Sequence, residues 1–272
     1  MKAPAVDYVR PRSLVEAVDL LARGQGEARV IAGGQSLVAM MNLRLASPGL
    51  LIDIARLPEL TAVSDDTDAV TLGACVTHAA IEDGRVPDPS RGLMPRVAAD
   101  LAYRAIRNRG TIGGSLALSD PAAEWPAVLT ALDAEIIVRG PNGQRSLKCT
   151  GFTTGIFETQ LTADEIIERV RIPKLSSDAR WGYVKLCRKA GEFANALAVA
   201  VADHGHCRGV IGAANGAPLL LDNTSRLVCE ADGDLRGAVA ADLDRAADRR
   251  FDEFQRNLHA VAAMRAVQRV LQ

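Results

Sequence analysis

The chain has 272 residues, of which 48% are hydrophobic, 24% charged and 4% aromatic. This length suits one large or two ordinary domains, and the apolar fraction is sufficient for a packed core. The net charge is −1, from 32 basic and 33 acidic residues, so nothing in the charge or the aromatic content indicates a nucleic-acid or membrane surface.

The first residues lack the basic-then-apolar pattern of a secretory signal, because Asp7 and Arg10 follow at once. No apolar run is long enough to span a bilayer. We therefore expect a cytoplasmic protein.

The cysteines are scattered along the chain. They are Cys75, Cys149, Cys187, Cys207 and Cys229. No two have the close spacing of zinc or iron–sulfur ligands, so we expect free thiols in or near the core. His204 and His206 resemble a metal-binding tract only superficially, since no cysteine or carboxylate stands at a workable spacing. No metal site is predicted.

The N-terminal segment reads as a compact βαβ-like unit. Ser13 and Glu16 form a capping-box signature ahead of an apolar helical repeat. Residues 29–32 are a predicted strand, residues 36–45 a helix and residues 50–54 a buried strand.

The middle of the chain alternates between predicted strands and helices. These are a strand at 69–73, a helix capped by Thr77 that runs to Glu82, a helix from Asp120 to Leu132, a hairpin of strands 134–139 and 145–148, and a strand at 165–172.

The segment 173–178 is polar and begins with proline, which predicts a boundary between a domain at 1–175 and a domain at 179–272. The second domain is predicted as a small α+β unit of three strands and two helices. Its predicted strands are 181–188, 196–203 and 209–214. A stripe for packing a helix on that sheet is predicted from Phe251, Phe254, Leu258, Val261 and Met264.

Two glycine-rich segments, 31–37 and 111–116, each carry a Gly-Gly pair beside a small hydroxyl residue. Both stand at predicted strand-to-helix transitions, where backbone N–H groups can approach an anion because no Cβ intervenes. Glycines in loops more often serve turns alone. Two such segments in one domain favour a single ligand with two phosphates, and neither matches the Rossmann or P-loop pattern.

The segments Ala32–Leu37, Arg107–Ser115 and Asp120–Pro126, in this order, resemble the FAD-binding medium subunit of the molybdenum hydroxylases. That family includes aerobic carbon monoxide dehydrogenase and xanthine dehydrogenase. The similarity continues through Glu165–Ile167, Gly182–Lys185 and Phe254–Leu258. It implies an α+β fold: a two-part PCMH-type (vanillyl-alcohol-oxidase-like) FAD-binding domain, followed by the small C-terminal domain.

The resemblance also implies where FAD binds. Its pyrophosphate is expected to contact two groups of residues, in part through backbone N–H groups and the hydroxyls of Ser36, Thr111 and Ser115. These groups are residues 32–37 and 111–115. The cofactor-binding residues expected in and beside them are Ile31, Ala32, Gly33, Gly34, Gln35, Ser36, Leu37, Thr111, Ile112, Gly113, Gly114 and Ser115.

The resemblance implies a cofactor contact for three single residues, and each of them also has a simpler structural interpretation. Glu124 is expected to contact the adenosine ribose, or else to be an ordinary first-turn glutamate. The family more often has aspartate there, so the contact is open. Ile167 is expected against the adenine or flavin edge, or else in the core. Lys185 is expected near the isoalloxazine ring, or else in solvent.

The arginines around the second glycine segment have alternative roles. Arg107 and Arg109 either face the phosphates or fix a loop to carboxylates or a partner. The segment 104–109 and the helix after Asp120 are candidate interfaces with a subunit that carries iron–sulfur clusters.

The resemblance implies an oxidoreductase subunit without a catalytic side chain of its own. It would pass electrons from iron–sulfur clusters of a small subunit to an external acceptor, while a large subunit with a molybdopterin cofactor oxidises the substrate. A heterotrimer doubled to a heterohexamer is expected. The alternatives are a free-standing FAD oxidoreductase and a non-catalytic assembly module without FAD. The substrate stays open among carbon monoxide, purines, N-heterocycles and aldehydes, as does the acceptor.

Overall fold

The computed structural model describes residues 2–230, 232–246 and 251–272. Helices and sheets alternate along the chain, which confirms the predicted α+β class. The strands of the described residues are β1 (Asp7–Val9), β2 (Ala28–Ile31), β3 (Leu50–Asp53), β4 (Val63–Asp65), β5 (Ala69–Gly73), β6 (Glu135–Gly140), β7 (Gly143–Lys148), β8 (Thr153–Gly155), β9 (Glu158–Thr159), β10 (Ile166–Pro173), β11 (Arg180–Leu186), β12 (Ala196–Asp203), β13 (His206–Gly212) and β14 (Leu219–Leu220). The helices are α1 (Leu14–Arg23), α2 (Leu37–Asn42), α3 (Pro58–Thr61), α4 (His78–Glu82), α5 (Leu93–Asp100), α6 (Arg104–Arg107), α7 (Ile112–Leu118), α8 (Glu124–Ala131), α9 (Asp222–Glu230), α10 (Leu235–Arg245) and α11 (Glu253–Leu271).

The chain begins with a three-stranded parallel sheet in the order β1-β3-β2. Helix α2 joins β2 to β3, which confirms the predicted βαβ-like unit. The Ser13 hydroxyl accepts a hydrogen bond from the Glu16 N–H at 3.2 Å, as the capping signature predicts. The Glu16 carboxylate accepts from the Arg12 N–H instead of the Ser13 N–H, so only half of the capping box forms.

A five-stranded sheet in the order β4-β5-β10-β6-β7 follows, with antiparallel neighbours. The predicted hairpin is β6–β7. Helix α8 begins at Glu124 and not at the predicted Asp120, because residues 120–123 form a turn closed by the Ala123 N–H on the Asp120 carbonyl. Every residue of α8 is buried, which contradicts the predicted partner interface on this helix.

The C-terminal sheet has the order β11-β12-β13-β14 and is antiparallel. One face, with Tyr183 and Val199, joins the main core, and the other, with Val184 and Ala198, packs against the C-terminal helices. The prediction of three strands and two helices is therefore corrected to four strands and three helices within the described residues. The two-residue β14 is too short to leave a sequence pattern.

The predicted apolar stripe on the last helix is confirmed only in part: Phe251, Leu258 and Met264 pack against the core between the C-terminal sheet and its helices. Phe254 is 70% exposed, and the buried face of α11 consists of other, mostly small, residues. They are His259, Ala262, Ala263, Ala266, Val267 and Val270. A Cβ on Gly182 of β11 would lie 1.9 Å from the Ala266 carbonyl oxygen, so the helix backbone rests directly on the strand. This close approach requires small residues on both elements.

The prediction of five free thiols is wrong for two of them, because Cys207 of β13 and Cys229 of α9 form a disulfide. Their Cα atoms lie 5.5 Å apart, and the contact of α9 with β13, which brings them together, is not visible in the spacing of the sequence. Cys75 and Cys149 are free and buried, and burial raises the pKa of both thiols to about 12. Cys187 is also free.

None of the helices in the described residues combines the length and the apolar character needed to cross a lipid bilayer.

The close contact of Gly182 predicts a strong effect of a single methyl group. We expect Gly182→Ala to lower the free energy of unfolding by about 1–3 kcal/mol, because α11 has to move away from β11. Urea denaturation followed by circular dichroism measures this change. Gly209→Ala in β13 is the matched control, since its added Cβ would have neighbours only at 3.5–3.6 Å. Equal stability of the two variants would contradict the prediction.

Candidate functional site

The two glycine-rich segments lie against each other. We call residues 31–37 the first glycine turn and residues 110–115 the second glycine turn. A Cβ on Gly33 would lie 2.0 Å from the Arg109 carbonyl oxygen and 3.0 Å from the Gly110 Cα, so only glycine permits this contact. The structure thus brings together two segments that are far apart in the sequence.

The first glycine turn presents a run of free backbone donors. Among the described residues, no protein group accepts from the backbone N–H groups of Gly33, Gly34, Gln35, Ser36 or Leu37. These residues are exposed or partly exposed. Consecutive free N–H groups form a concave donor surface that suits an anion with several oxygens, such as a diphosphate.

The second glycine turn differs, because most of its N–H groups already have acceptors. Those of Ile112 and Gly113 donate to the carbonyls of Val76 and Ala74 at 3.0 and 2.9 Å. The Gly114 N–H donates to the Thr111 Oγ1 at 3.0 Å, and the Ser115 N–H to the Thr111 carbonyl at 3.0 Å. The phosphate contacts expected of residues 111–115 stay a prediction.

Behind the second glycine turn lies His78, which the sequence pattern did not single out. The backbone N–H of His78 donates to the Gly110 carbonyl at 2.9 Å, and its ring Nδ1 accepts from the Trp125 Nε1–H at 3.1 Å. Burial, and then the charge of Arg107, lowers the pKa of His78 to about 4. The ring is therefore neutral near pH 7. No motif spacing links His78 to Trp125; only their packing does.

The structure pairs Glu124 with Lys185. The Lys185 Nζ donates to the Glu124 Oε1 at 2.6 Å and to the Asp100 carbonyl at 3.0 Å. Their side chains are 4% and 5% exposed, so the ion pair is buried. Burial raises the pKa of Glu124, and the Lys185 ammonium opposes that rise.

This pairing bears on the separate roles expected of the two residues. An extended FAD separates its adenosine ribose from its isoalloxazine ring by the diphosphate and the ribityl chain. Side-chain atoms 2.6 Å apart cannot contact both ends, so in this arrangement the two expected contacts exclude each other. The simpler interpretation of Lys185, a lysine in solvent, is wrong, since its side chain is 5% exposed.

Next to this pair, the buried hydroxyl of Tyr183 has no hydrogen-bond partner in the part of the chain that is described. Burial raises the pKa of Tyr183, and the carboxylates of Glu124 and Asp100 add to that rise. A buried donor without an acceptor is unfavourable unless a ligand supplies one. Tyr183 and Lys185 project from the same face of β11, so an unsatisfied hydroxyl lies beside a buried charge pair.

Ile167 is 4% exposed and belongs to the main core cluster. It lies in β10 opposite Val138, next to an irregularity in the register between residues 167 and 169. This placement agrees with its simpler interpretation as a core residue, and a contact with the cofactor stays a prediction.

The arginines near the second glycine turn mainly fix loops. Arg107 donates to both carboxylate oxygens of Glu82 at 2.7 and 2.9 Å and to the Leu101 carbonyl at 2.8 Å. Arg104 forms two hydrogen bonds of 2.6 Å with Asp83. Acidic residues of α4 and the turn after it thus neutralise most of the basic segment 104–109. Arg109 is exposed, with no side-chain partner among the described residues.

Within residues 2–230, 232–246 and 251–272, no three side chains of His, Cys, Asp or Glu gather in a group that could hold a metal ion.

Comparison with known proteins places these features in a family. Residues 4–175 match the family model described as the FAD binding domain in molybdopterin dehydrogenase. The nicotine 6-hydroxylase medium subunit of Paenarthrobacter nicotinovorans is 40% identical over 193 residues, which cover 71% of this chain and 67% of that protein. The carbon monoxide dehydrogenase medium chain of Hydrogenophaga pseudoflava is 37% identical over 196 residues, covering 72% and 68%.

Solved structures extend the similarity to the C-terminal part. A chain of carbon monoxide dehydrogenase from Hydrogenophaga pseudoflava superimposes with a TM-score of 0.91 at 30% identity and covers 99% of this chain and 98% of its own. A chain of quinoline 2-oxidoreductase from Pseudomonas putida 86 gives a TM-score of 0.85, also at 30% identity, over the full length of both chains. The chain therefore belongs to the family of FAD-binding medium subunits of the molybdenum hydroxylases, with FAD as its cofactor.

Proposed function

We propose that this chain carries FAD as the electron-transfer subunit of a molybdenum-containing hydroxylase or dehydrogenase. Electrons from substrate oxidation on a large molybdopterin subunit reach it from iron–sulfur clusters on a small subunit and leave to an external acceptor. Bound FAD supplies a ring system that exchanges electrons one or two at a time. The observation that carries this proposal is the run of five N–H groups without an acceptor in the described residues, beside the contact of Gly33 with the Arg109–Gly110 peptide, in a chain of this family.

The residues of this chain bind and orient the cofactor in the proposal. The free N–H groups of residues 33–37 donate to the diphosphate, and the second glycine turn forms the wall behind it. The hydroxyls of Ser36, Thr111 and Ser115 supply further donors. The unpartnered Tyr183 hydroxyl and the Lys185–Glu124 pair lie where the two parts of the chain meet, and we place the other end of the cofactor there.

The relatives support partner subunits, because they are named as medium subunits or chains. We propose one large molybdenum subunit and one small iron–sulfur subunit per chain, with the heterotrimer doubled to a heterohexamer in the cytoplasm. We also propose that residues 1–175 and 179–272 are the two domains. The substrate is chosen on the large subunit, since the relatives act, by their names, on compounds as different as nicotine and carbon monoxide.

The experiment is co-expression with the two candidate partner subunits, followed by rapid mixing with substrate. We expect the purified chain alone to show flavin absorption bands that do not bleach with substrate, because in this proposal the large subunit oxidises the substrate. In the complex the flavin bands bleach after the iron–sulfur absorption changes. Bleaching in the isolated chain would favour a free-standing oxidoreductase, and absence of flavin in both samples would favour an assembly module.

Gly33→Ala tests the contact between the glycine turns. We expect the dissociation constant for FAD to rise at least about tenfold, because the new Cβ pushes Arg109 and the second glycine turn away from the free N–H groups. Quenching of flavin fluorescence during titration of the apoprotein measures it. Gly49→Ala is the matched control, since its Cβ would meet only the Glu27 side chain, at 3.5 Å. Unchanged FAD affinity in Gly33→Ala would contradict the proposed diphosphate site.

Variants of the buried ion pair test its part in tuning the flavin. Glu124→Gln and Lys185→Met each leave one buried charge unpaired, so we expect each to lower the free energy of unfolding by about 3–5 kcal/mol. The double variant should lose less than the sum. Because a positive charge favours the reduced, anionic flavin, Glu124→Gln should raise its midpoint potential and Lys185→Met should lower it.

Spectroelectrochemical titration of the FAD-loaded variants measures these potentials. The double variant is the matched control, since it removes both charges and should return the potential toward that of the unaltered chain. Unchanged potentials in both single variants would limit the ion pair to a structural role.

A further inference from the structure

We propose that His78 is a positioning residue that holds the second glycine turn against the first. The inference rests on the proposed role of the glycine turns in binding FAD. It is carried by a stack of four residues in direct contact, Gly33, Gly110, His78 and Trp125.

The first contact in this stack joins the two turns. The Gly33 Cα approaches the peptide between Arg109 and Gly110 so closely that no side chain fits between them. Any movement of Gly110 is therefore transmitted to the turn that carries the free N–H groups.

The second contact joins Gly110 to the imidazole ring. A Cβ on Gly110 would lie 2.8 Å from the His78 Cδ2 and 2.9 Å from its Nε2, so the ring occupies the space of the missing side chain. The backbone N–H of the same histidine donates to the Gly110 carbonyl. Gly110 is thus held by both the main chain and the ring of His78.

The third contact fixes the ring. The indole of Trp125 is fully buried and donates to the Nδ1 of His78. Because the ring is neutral and its Nδ1 accepts, the proton lies on Nε2. The Nε2 atom is not among the buried polar atoms that lack a partner in the described part of the chain. A phenylalanine would fill the same space but would leave the buried Trp125 Nε1–H without an acceptor, so packing alone does not account for a histidine here.

Trp125 also ties the stack to the other side of the site. It follows Glu124 in the first turn of α8, and Glu124 binds Lys185. One helical turn therefore positions both the ion pair at β11 and the ring behind the second glycine turn. A displacement of His78 is expected to alter the relative position of the glycine turns without removing any donor from the first.

The test compares FAD binding by the full-length apoprotein and by His78→Phe, Trp125→Phe and the double variant. We expect each single variant to raise the dissociation constant for FAD about tenfold, since each removes the hydrogen bond between Trp125 and His78. The double variant should be no weaker than the single ones, because both substitutions break one contact. His259→Phe is the matched control: it replaces another buried histidine, on α11, which packs against Phe251. Its affinity for FAD should not change.

Two measurements separate positioning from stability. We expect His78→Phe and His259→Phe to lower the thermal denaturation midpoint of the apoprotein to a similar extent. Only His78→Phe should lose affinity for FAD. In the unaltered chain, the indole N–H resonance of Trp125, assigned by comparison with Trp125→Phe, should shift when FAD binds. That resonance decides the question if His78→Phe does not fold.

Wild-type affinity in His78→Phe, or an unmoved indole resonance at saturating FAD, would overturn the inference. Gly33→Ala identifies which proposal fails. If Gly33→Ala weakens FAD binding and His78→Phe does not, only the role of His78 is wrong. If neither weakens it, the diphosphate site at the glycine turns is wrong as well.

Discussion

The contact between Gly33 and the Arg109–Gly110 peptide is the constraint on which the site depends. The contact joins the residues after β2 to the residues before α7. Three strands and five helices lie between these two parts of the chain. Two backbones can touch in this way only where no side chain intervenes. The N–H groups of residues 33–37 have no acceptor in the described part of the chain, while those of Ile112 and Gly113 in the second turn donate to Val76 and Ala74.

This arrangement divides the work between the two turns. The first offers donors to an anion, and the second provides a rigid support whose backbone is already satisfied. The support continues through His78 and Trp125 into α8, which is buried along its whole length. A buried helix cannot shift without opening the core, so this support is part of the packed interior.

In the proposed site, the C-terminal part contributes the strand β11. Its sheet is buried on both faces, one against the main core and one against α11, and Gly182 lets that helix rest on the strand. Tyr183 and Lys185 therefore project from a strand fixed on both sides. Lys185 belongs to a buried ion pair, and the Tyr183 hydroxyl has no partner in the described part of the chain. Such groups are costly in a protein interior and are typical of ligand sites.

The sequence alone determined the βαβ-like start and the hairpin β6–β7, because these depend on local patterns of glycine, apolar residues and turn residues. The α+β class, the family and FAD followed from the resemblance of its glycine-rich and neighbouring segments to a known family. The sequence misjudged the place of Phe254 in the stripe on α11, the disulfide Cys207–Cys229 and the start of α8, since each depends on what a neighbouring element allows. Only the tertiary structure decided that Glu124 binds Lys185, that Arg107 binds Glu82 and that His78 lies behind Gly110. The physical reason is that a sequence specifies which groups a residue carries, whereas hydrogen-bond partners and burial arise when distant elements pack together.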